Sequence, residues 1–177
     1  MTINLVFFNI FKQTTIMFTA YKNLPDNSRV WVYQADRILT ENEINVISER
    51  VADFINQWTR HGDDLKGSFV IKYNQFLVLA VDESFNNVSG CSIDSSVRFI
   101  KEIENELEVD LMNKLNVTFK DNNSINVVKL SDFQKFAKEK KITAETIVFN
   151  NMVNTKAEFE NQWELPAQES WHKRFLV

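Results

Sequence analysis

The sequence predicts an α+β fold in which helices cover an antiparallel sheet. Short runs rich in β-branched and aromatic residues alternate with longer segments whose apolar residues recur every three or four positions. These segments follow one another in the order β-α-β-β-α-β between residues 29 and 120. The chain has 177 residues, 44% of them hydrophobic, which is enough to bury a substantial core.

The first strand and the first helix are predicted from local signals. Arg29–Ala35 is rich in β-branched and aromatic residues, which is typical of a strand. Thr40-Glu41-Asn42-Glu43 has the spacing of a capping box, so we expect a helix to begin there. Its apolar face extends to Trp58, and we expect His61-Gly62 to end it, because glycine accepts the left-handed backbone of a helix C-terminus.

A hairpin is predicted after this helix. Phe69–Tyr73 and Phe76–Val81 are apolar runs separated only by Asn74-Gln75, which is the spacing of a tight turn between antiparallel strands.

The second helix is expected to begin at Ser92 or Asp94, both of which are good N-cap residues. Its apolar stripe runs from Val97 to Leu111, and its outer face carries acidic residues between Glu102 and Asp110. A solvated helix face explains those carboxylates better than a metal site does.

Together these elements predict a two-layer sandwich with a ferredoxin-like, split β-α-β core over residues 17–120. Residues 121–177 are expected to add a C-terminal strand and short helices. In this extension, Ile125–Lys129 is expected to pair with the core strand Asn116–Lys120. Capping boxes are predicted at Ser131 and Thr155, and a strand at Thr146–Phe149.

Residues 1–16 differ from the rest of the chain. Asn4–Phe11 is apolar but too short to span a bilayer, and it lacks the flanking residues of a signal peptide. One interpretation is that these residues are an extension and that translation starts at Met17. The other is a short extra strand or a tail that touches a membrane. We expect residues 17–177 to form one domain of a cytoplasmic protein with no membrane insertion.

Composition argues against several classes of function. The net charge is −4 and no basic stripe is present, so a nucleic-acid partner is not expected. The single cysteine rules out an internal disulfide, and the two histidines lie far apart, so neither a metal site nor a cofactor is predicted. The sequence does not specify an oligomeric state.

The strongest candidate site is the junction that leads into the second helix. A helix N-terminus offers unpaired N–H groups and a positive dipole end, so small polar residues there suit an anion or a polar ligand. Two residues of the C-terminal tail are expected to add donors if the tail folds back. The candidate ligand-binding residues are Gly90, Cys91, Ser92, Ser95, Ser96, Arg98, His172 and Arg174.

The same junction also suggests an enzyme. Cys91 is a candidate nucleophile, with His61 or His172 as the base and Asp82 or Asp94 as the group that orients it. The competing interpretation is purely structural, because a lone cysteine is often a small buried hydrophobe. The tail residues Trp163, Trp171 and Phe175 are expected to be buried anchors.

Four phrases of the chain resemble a family of small bacterial proteins that is often labelled "ABC transporter ATPase". An ATPase of that class needs a glycine-rich phosphate loop followed by lysine, and the three glycines Gly62, Gly67 and Gly90 cannot form that motif. The resemblance therefore implies a family without implying ATP hydrolysis. The phrases are Trp58–Gly62, Ser89–Val97, Asn150–Glu158 and Ser170–Phe175.

A second resemblance covers the C-terminal part of the chain. The residue pattern of three segments resembles that of bacterial GYF-like modules, which implies a small binding module. The segments are Val127–Phe133, Lys141–Phe149 and Trp163–Pro166. The sequence therefore favours a non-catalytic protein that binds a partner protein or a small anion. An enzyme that uses Cys91 is the alternative.

Overall fold

The computed structural model describes residues 17–60, 63–84, 88–122 and 124–177. In these ranges the chain is an α+β protein with four α-helices and two main antiparallel sheets, which confirms the predicted class. The extension predicted over residues 1–16 lies outside the described residues, whereas the helix stop predicted at His61-Gly62 is wrong, because the first helix already ends at Gln57. No helix in the described ranges is long and apolar enough to cross a membrane.

The elements follow one another in an order close to the predicted one. The strands are β1 (Arg29–Gln34), β2 (Thr59–Arg60), β3 (Asp63–Asp64), β4 (Gly67–Lys72), β5 (Phe76–Val81), β6 (Asn116–Asp121), β7 (Ser124–Lys129), β8 (Ile147–Phe149) and β9 (Glu164–Pro166). The helices are α1 (Glu41–Gln57), α2 (Gly90–Leu107), α3 (Leu130–Lys138) and α4 (Lys156–Gln162). Short 3-10 turns occupy Tyr21–Asn23, Ala167–Glu169 and Trp171–Phe175.

The first sheet has the strand order β1-β5-β4, and both pairs are antiparallel. All six residues of the central strand β5 are buried. Leu77 and Leu79 pack into the core beneath α1 and α2, whereas Phe76, Val78 and Ala80 pack into a second core on the opposite face. The sheet is therefore covered on both faces.

The second cover comes from the C-terminal half of the chain. Phe149, Phe159 and Trp163 lie in the same cluster as Phe76 and Val78. The predicted two-layer sandwich is therefore wrong in the number of layers, because a third layer packs on the sheet face that the helices leave open.

The second sheet has the order β7-β6-β8-β9. β6 and β7 form an antiparallel hairpin, and β6 also pairs with β8. The helix α3 and the C-terminal 3-10 turns pack on one face of this sheet. The buried side chains there are Val117, Phe119, Phe133, Ala137, Ile142, Val148 and Ala167.

The ferredoxin-like sheet is not confirmed. The split β-α-β part is present, because β1 and β4 flank β5, but β6 belongs to the second sheet. The outer edge of β1 has other partners: the N–H of Val30 donates to the carbonyl of Asn154 at 2.9 Å, and the N–H of Gln34 donates to that of Leu111 at 3.0 Å. These bonds occupy the edge that a fourth strand would need.

Two of the three predicted capping boxes are confirmed. The Thr40 hydroxyl accepts the N–H of Glu43, and the Glu43 carboxylate accepts the N–H of Thr40 at 2.8 Å. Thr155 and Glu158 make the same exchange at the start of α4. The box predicted at Ser131 is wrong, because α3 already begins at Leu130 and its N-cap residue makes no side-chain capping bond.

Three boundaries differ from the predictions. The helix α1 ends at Gln57, with Trp58 as its C-cap. In the β4–β5 hairpin the left-handed residues are Tyr73 and Asn74, with φ of 55° and 51°, rather than Asn74-Gln75. The helix α2 ends at Leu107, four residues before the end of the predicted apolar stripe.

Candidate functional site

The α2 junction forms close to where the sequence predicts it, but with a different cap. The N-cap is Ser89, whose hydroxyl accepts the N–H of Ser92 at 3.3 Å, so the predicted caps Ser92 and Asp94 both lie inside the helix. The helix begins three residues early because Ser89 is itself a good N-cap residue.

The serine hydroxyls of the junction are engaged with the protein backbone. Ser92 donates to the carbonyl of Thr59 at 3.0 Å, Ser95 to that of Ser92 at 2.8 Å, and Ser96 to that of Ile93 at 2.7 Å. Ser92 and Ser96 are also buried. These hydroxyls therefore anchor α2, and each already directs its proton to a carbonyl.

The other predicted residues of the junction face solvent. Gly90, Cys91, Asp94 and Arg98 are exposed, and Cys91 is a free thiol. A Cβ atom at Gly90 would meet nothing within 4 Å, so packing does not require glycine there. The anion site at this helix end stays a prediction, with its exposed part at Gly90 and Cys91.

Asp82 is bound to its own neighbours. Its carboxylate accepts the N–H and the hydroxyl of Ser84 and lies 3.4 Å from the ammonium of Lys66. Burial opposes ionisation, yet the Ser84 bonds and Lys66 outweigh it and hold the pKa of Asp82 below its ordinary value. Asp82 therefore serves as a loop-fixing carboxylate.

His172 lies in a different part of the fold, against α3. It is completely buried, its Nδ1 is 2.8 Å from the Ser170 hydroxyl, and its ring packs on Phe133 and on Trp171. Burial, helped by the charge of Arg174, lowers the pKa of His172 to about 4. The ring is therefore neutral near pH 7.

The described members of the predicted catalytic group form no hydrogen bond with one another. Within the described ranges no hydrogen bond joins Cys91 to Asp82, Asp94 or His172. The predicted partner His61 lies outside the described residues, so its pairing with Cys91 stays a prediction. Arg174 is exposed, and its guanidinium lies 5.1 Å from the ring centre of Trp171 and 4.8 Å from that of Phe175.

An open groove of about 450 Å³ lies at the other end of α2. Two of its carboxylates hold the chain that follows the helix: Glu104 accepts the N–H groups of Leu111 and Met112, and Asp36 accepts that of Asp110. In the described part of the chain, no group of three or more His, Cys, Asp or Glu residues is placed to hold a metal ion. The groove is lined by Asp36, Glu104, Asn105, Glu108, Val109 and Asp110.

The outer edge of β7 is a further candidate surface, which the sequence alone did not indicate. The N–H of Leu130 donates to the carbonyl of Leu115 at 2.8 Å, which makes these two residues a hydrogen-bonded pair. In an antiparallel pair, hydrogen-bonded residues recur at every second position, so the main chain of Val128 also bonds to β6. The alternate residues Ile125 and Val127 therefore direct their main-chain N–H and C=O groups away from β6. Among the described residues, those outward groups have no hydrogen-bond partner.

The other sheet edges are short or are bonded over at least part of their length. Asn154 and Leu111 bond to the edge of β1, and the main chain of Met17 bonds to Gly67 at the start of β4. The edge strand β9 has three residues and includes Pro166, which cannot donate to a neighbouring strand. Within the described ranges, β7 is the six-residue strand whose outer edge is bonded nowhere along its length. Its alternating apolar residues were visible in the sequence, but its position at an edge was not.

Comparisons with known proteins add no identification: no family model, no curated protein and no solved structure matches this chain.

Proposed function

We propose that this chain is a non-catalytic binding protein that takes an extended segment of a partner protein as an additional strand beside β7. The observation that carries the proposal is the pair of outward main-chain positions, Ile125 and Val127, on an edge with no neighbour in the described residues. An extended peptide can satisfy these N–H and C=O groups by strand addition, in which main-chain bonds supply affinity.

The composition of β7 supports the same function. Long edges that avoid pairing are usually interrupted by proline, shortened, or lined with charge. Ser124–Lys129 contains no proline and only one charged residue, Lys129, at its end. Ile125 packs on the core between the sheets and Val128 on the core under α3, so the strand is held in place before a partner arrives.

The test begins with a displayed library of random ten-residue peptides selected against the full chain. Selected peptides should shift and protect the amides of Ile125 and Val127. Val127→Pro removes one outward N–H without touching the bonds to β6, and we expect it to weaken binding about tenfold or more. Val127→Thr, which keeps the N–H and the β-branched shape, is the matched control and should bind like the wild type.

Two results would overturn this function. One is peptides that bind Val127→Pro as tightly as the wild type. The other is a set of selected peptides whose amide shifts map away from β7.

A further inference from the structure

The strand β7 is followed directly by a lysine-rich segment. Residues 124–142 contain five lysines and two acidic residues, in a chain whose net charge is −4. The helix α3 in this segment packs against β6 and β7, and all five lysines are exposed. The lysines are Lys129, Lys135, Lys138, Lys140 and Lys141.

Only part of this positive charge is neutralised within the protein. Glu139 lies 2.8 Å from Lys141 and 4.0 Å from Lys135. Lys138 and Lys140 form no ion pair within the described residues. Lys129 bonds to the neutral amide oxygen of Asn116 at 2.6 Å, which is not a carboxylate. Residues 124–142 therefore carry a net charge of +3, with the negative Asp132 in the first turn of α3 and most of the positive charge at the end of α3 and in the turn after it.

We infer that the segment that adds to β7 is acidic, with its carboxylates placed toward α3. This inference rests on the proposed function and specifies the chemistry of the partner. A second copy of the chain fits less well, because pairing through β7 would bring two lysine-rich surfaces together, and like charges repel across an interface. An extended acidic segment instead gains Coulomb attraction in addition to its main-chain bonds.

The test uses three synthetic ten-residue peptides titrated into the full chain. All three share alternating valines, and their remaining positions carry glutamate, glutamine or lysine. We expect the glutamate peptide to bind most tightly and the lysine peptide most weakly. The affinity of the glutamate peptide should fall as salt is raised, because exposed charges are screened.

Charge variants make the test specific. Lys138→Gln combined with Lys140→Gln should weaken the glutamate peptide about threefold and leave the glutamine peptide unchanged, in line with the small energies of exposed charge pairs. Lys101→Gln combined with Lys114→Gln removes two exposed lysines elsewhere and should change neither affinity.

The possible results separate the two proposals. If the glutamate and glutamine peptides bind equally at all salt concentrations while shifting the amides of Ile125 and Val127, the acidic preference is wrong and the proposed function stands. If those amides shift with protein concentration alone, the occupant is a second copy and the inference is overturned. If no peptide affects β7, both proposals fail.

Discussion

The indole Nε1 of Trp58 donates a 2.9 Å hydrogen bond to the main-chain carbonyl of Ser92. Trp58 is the C-cap of α1, and Ser92 lies in the first turn of α2, so one bond joins the end of one helix to the start of the next. The indole is 2% exposed and packs against Phe54 and Trp31, which keeps water away from the bond.

Trp58→Phe is therefore expected to destabilise the fold by about 2 kcal/mol, because it removes the buried bond between the two helices and opens a small cavity, although the Ser92 carbonyl keeps the Ser95 hydroxyl as a donor. Urea unfolding measures the effect. Trp171→Phe is the matched control: Trp171 is half-buried and its Nε1 has no partner, so its cost should stay below about 1 kcal/mol. Equal costs for the two changes would contradict a role for the Trp58–Ser92 bond.

The capping boxes offer a paired test. Thr155→Ala removes a side-chain acceptor from the start of α4 and should cost about 1 kcal/mol of unfolding free energy. Ser131→Ala alters a residue of similar type that caps nothing, so its effect should stay within about 0.5 kcal/mol. Thermal unfolding of both variants under one buffer condition decides the point, and a larger loss at Ser131 would refute it.

His172 makes stability depend on pH. In the unfolded chain its pKa is about 6.5, whereas in the folded state burial lowers it to about 4, so between these values the unfolded state binds more protons. Stability from this residue is fully present above pH 6.5 and falls by about 3 kcal/mol as the pH drops to 4.

The measurement is the unfolding free energy of wild type and His172→Leu from pH 4 to pH 7. Subtracting the two profiles removes the carboxylates that titrate in the same range. Arg174→Gln should retain most of the slope, because burial lowers the pKa of His172 more than the charge of Arg174 does. A wild-type profile parallel to that of His172→Leu would show that the ring is not buried in its neutral form.

Cys91 and Ser92 are adjacent in the chain, but substituting them is expected to affect stability differently. Cys91→Ser changes an exposed thiol and should alter stability by less than about 0.5 kcal/mol. Ser92→Ala removes a buried hydroxyl that bonds to Thr59 and should cost about 1–2 kcal/mol.

The predicted anion site at Gly90 and Cys91 is tested by melting curves of the same samples with added phosphate. If the site binds anions, phosphate should raise the melting temperature of the wild type.

Local signals in the sequence predicted most elements of the fold. The boxes at Thr40 and Thr155 could be read directly, because a cap depends on a few neighbouring residues. The box at Ser131 failed because its spacing matched while β7 continued straight into α3 at Leu130. The cap of α2 was placed three residues late for a similar reason, since Ser89 and Ser92 are equally suitable by residue type.

The arrangement of the layers was harder to predict. The uninterrupted apolar run Phe76–Val81 is typical of a strand that is buried on both faces. Because the helices cover only one face of the sheet, this run indicates a third layer on the other face. The place of β6 could not be predicted, because Asn154 and Leu111 occupy the edge of β1, and these contacts join residues far apart in the sequence. The surroundings of His172 likewise come from α3, far away in sequence, and no local pattern encodes them.

The double burial of β5 has a further consequence for how this hairpin finds its alignment. In a strand with one solvent-exposed face, shifting the pairing by one residue moves the apolar side chains into water. The free-energy cost of that exposure fixes the register. In β5 both faces are dry, so the penalty is largely absent. The register is instead set by the turn that precedes β5, in which Tyr73 and Asn74 adopt left-handed backbone conformations. This turn is bonded to the chain after β1: the Asn74 carbonyl accepts the N–H of Leu39, and the Gln75 carbonyl accepts that of Ala35. Three polar bend residues thus set the register for the most apolar strand of the molecule.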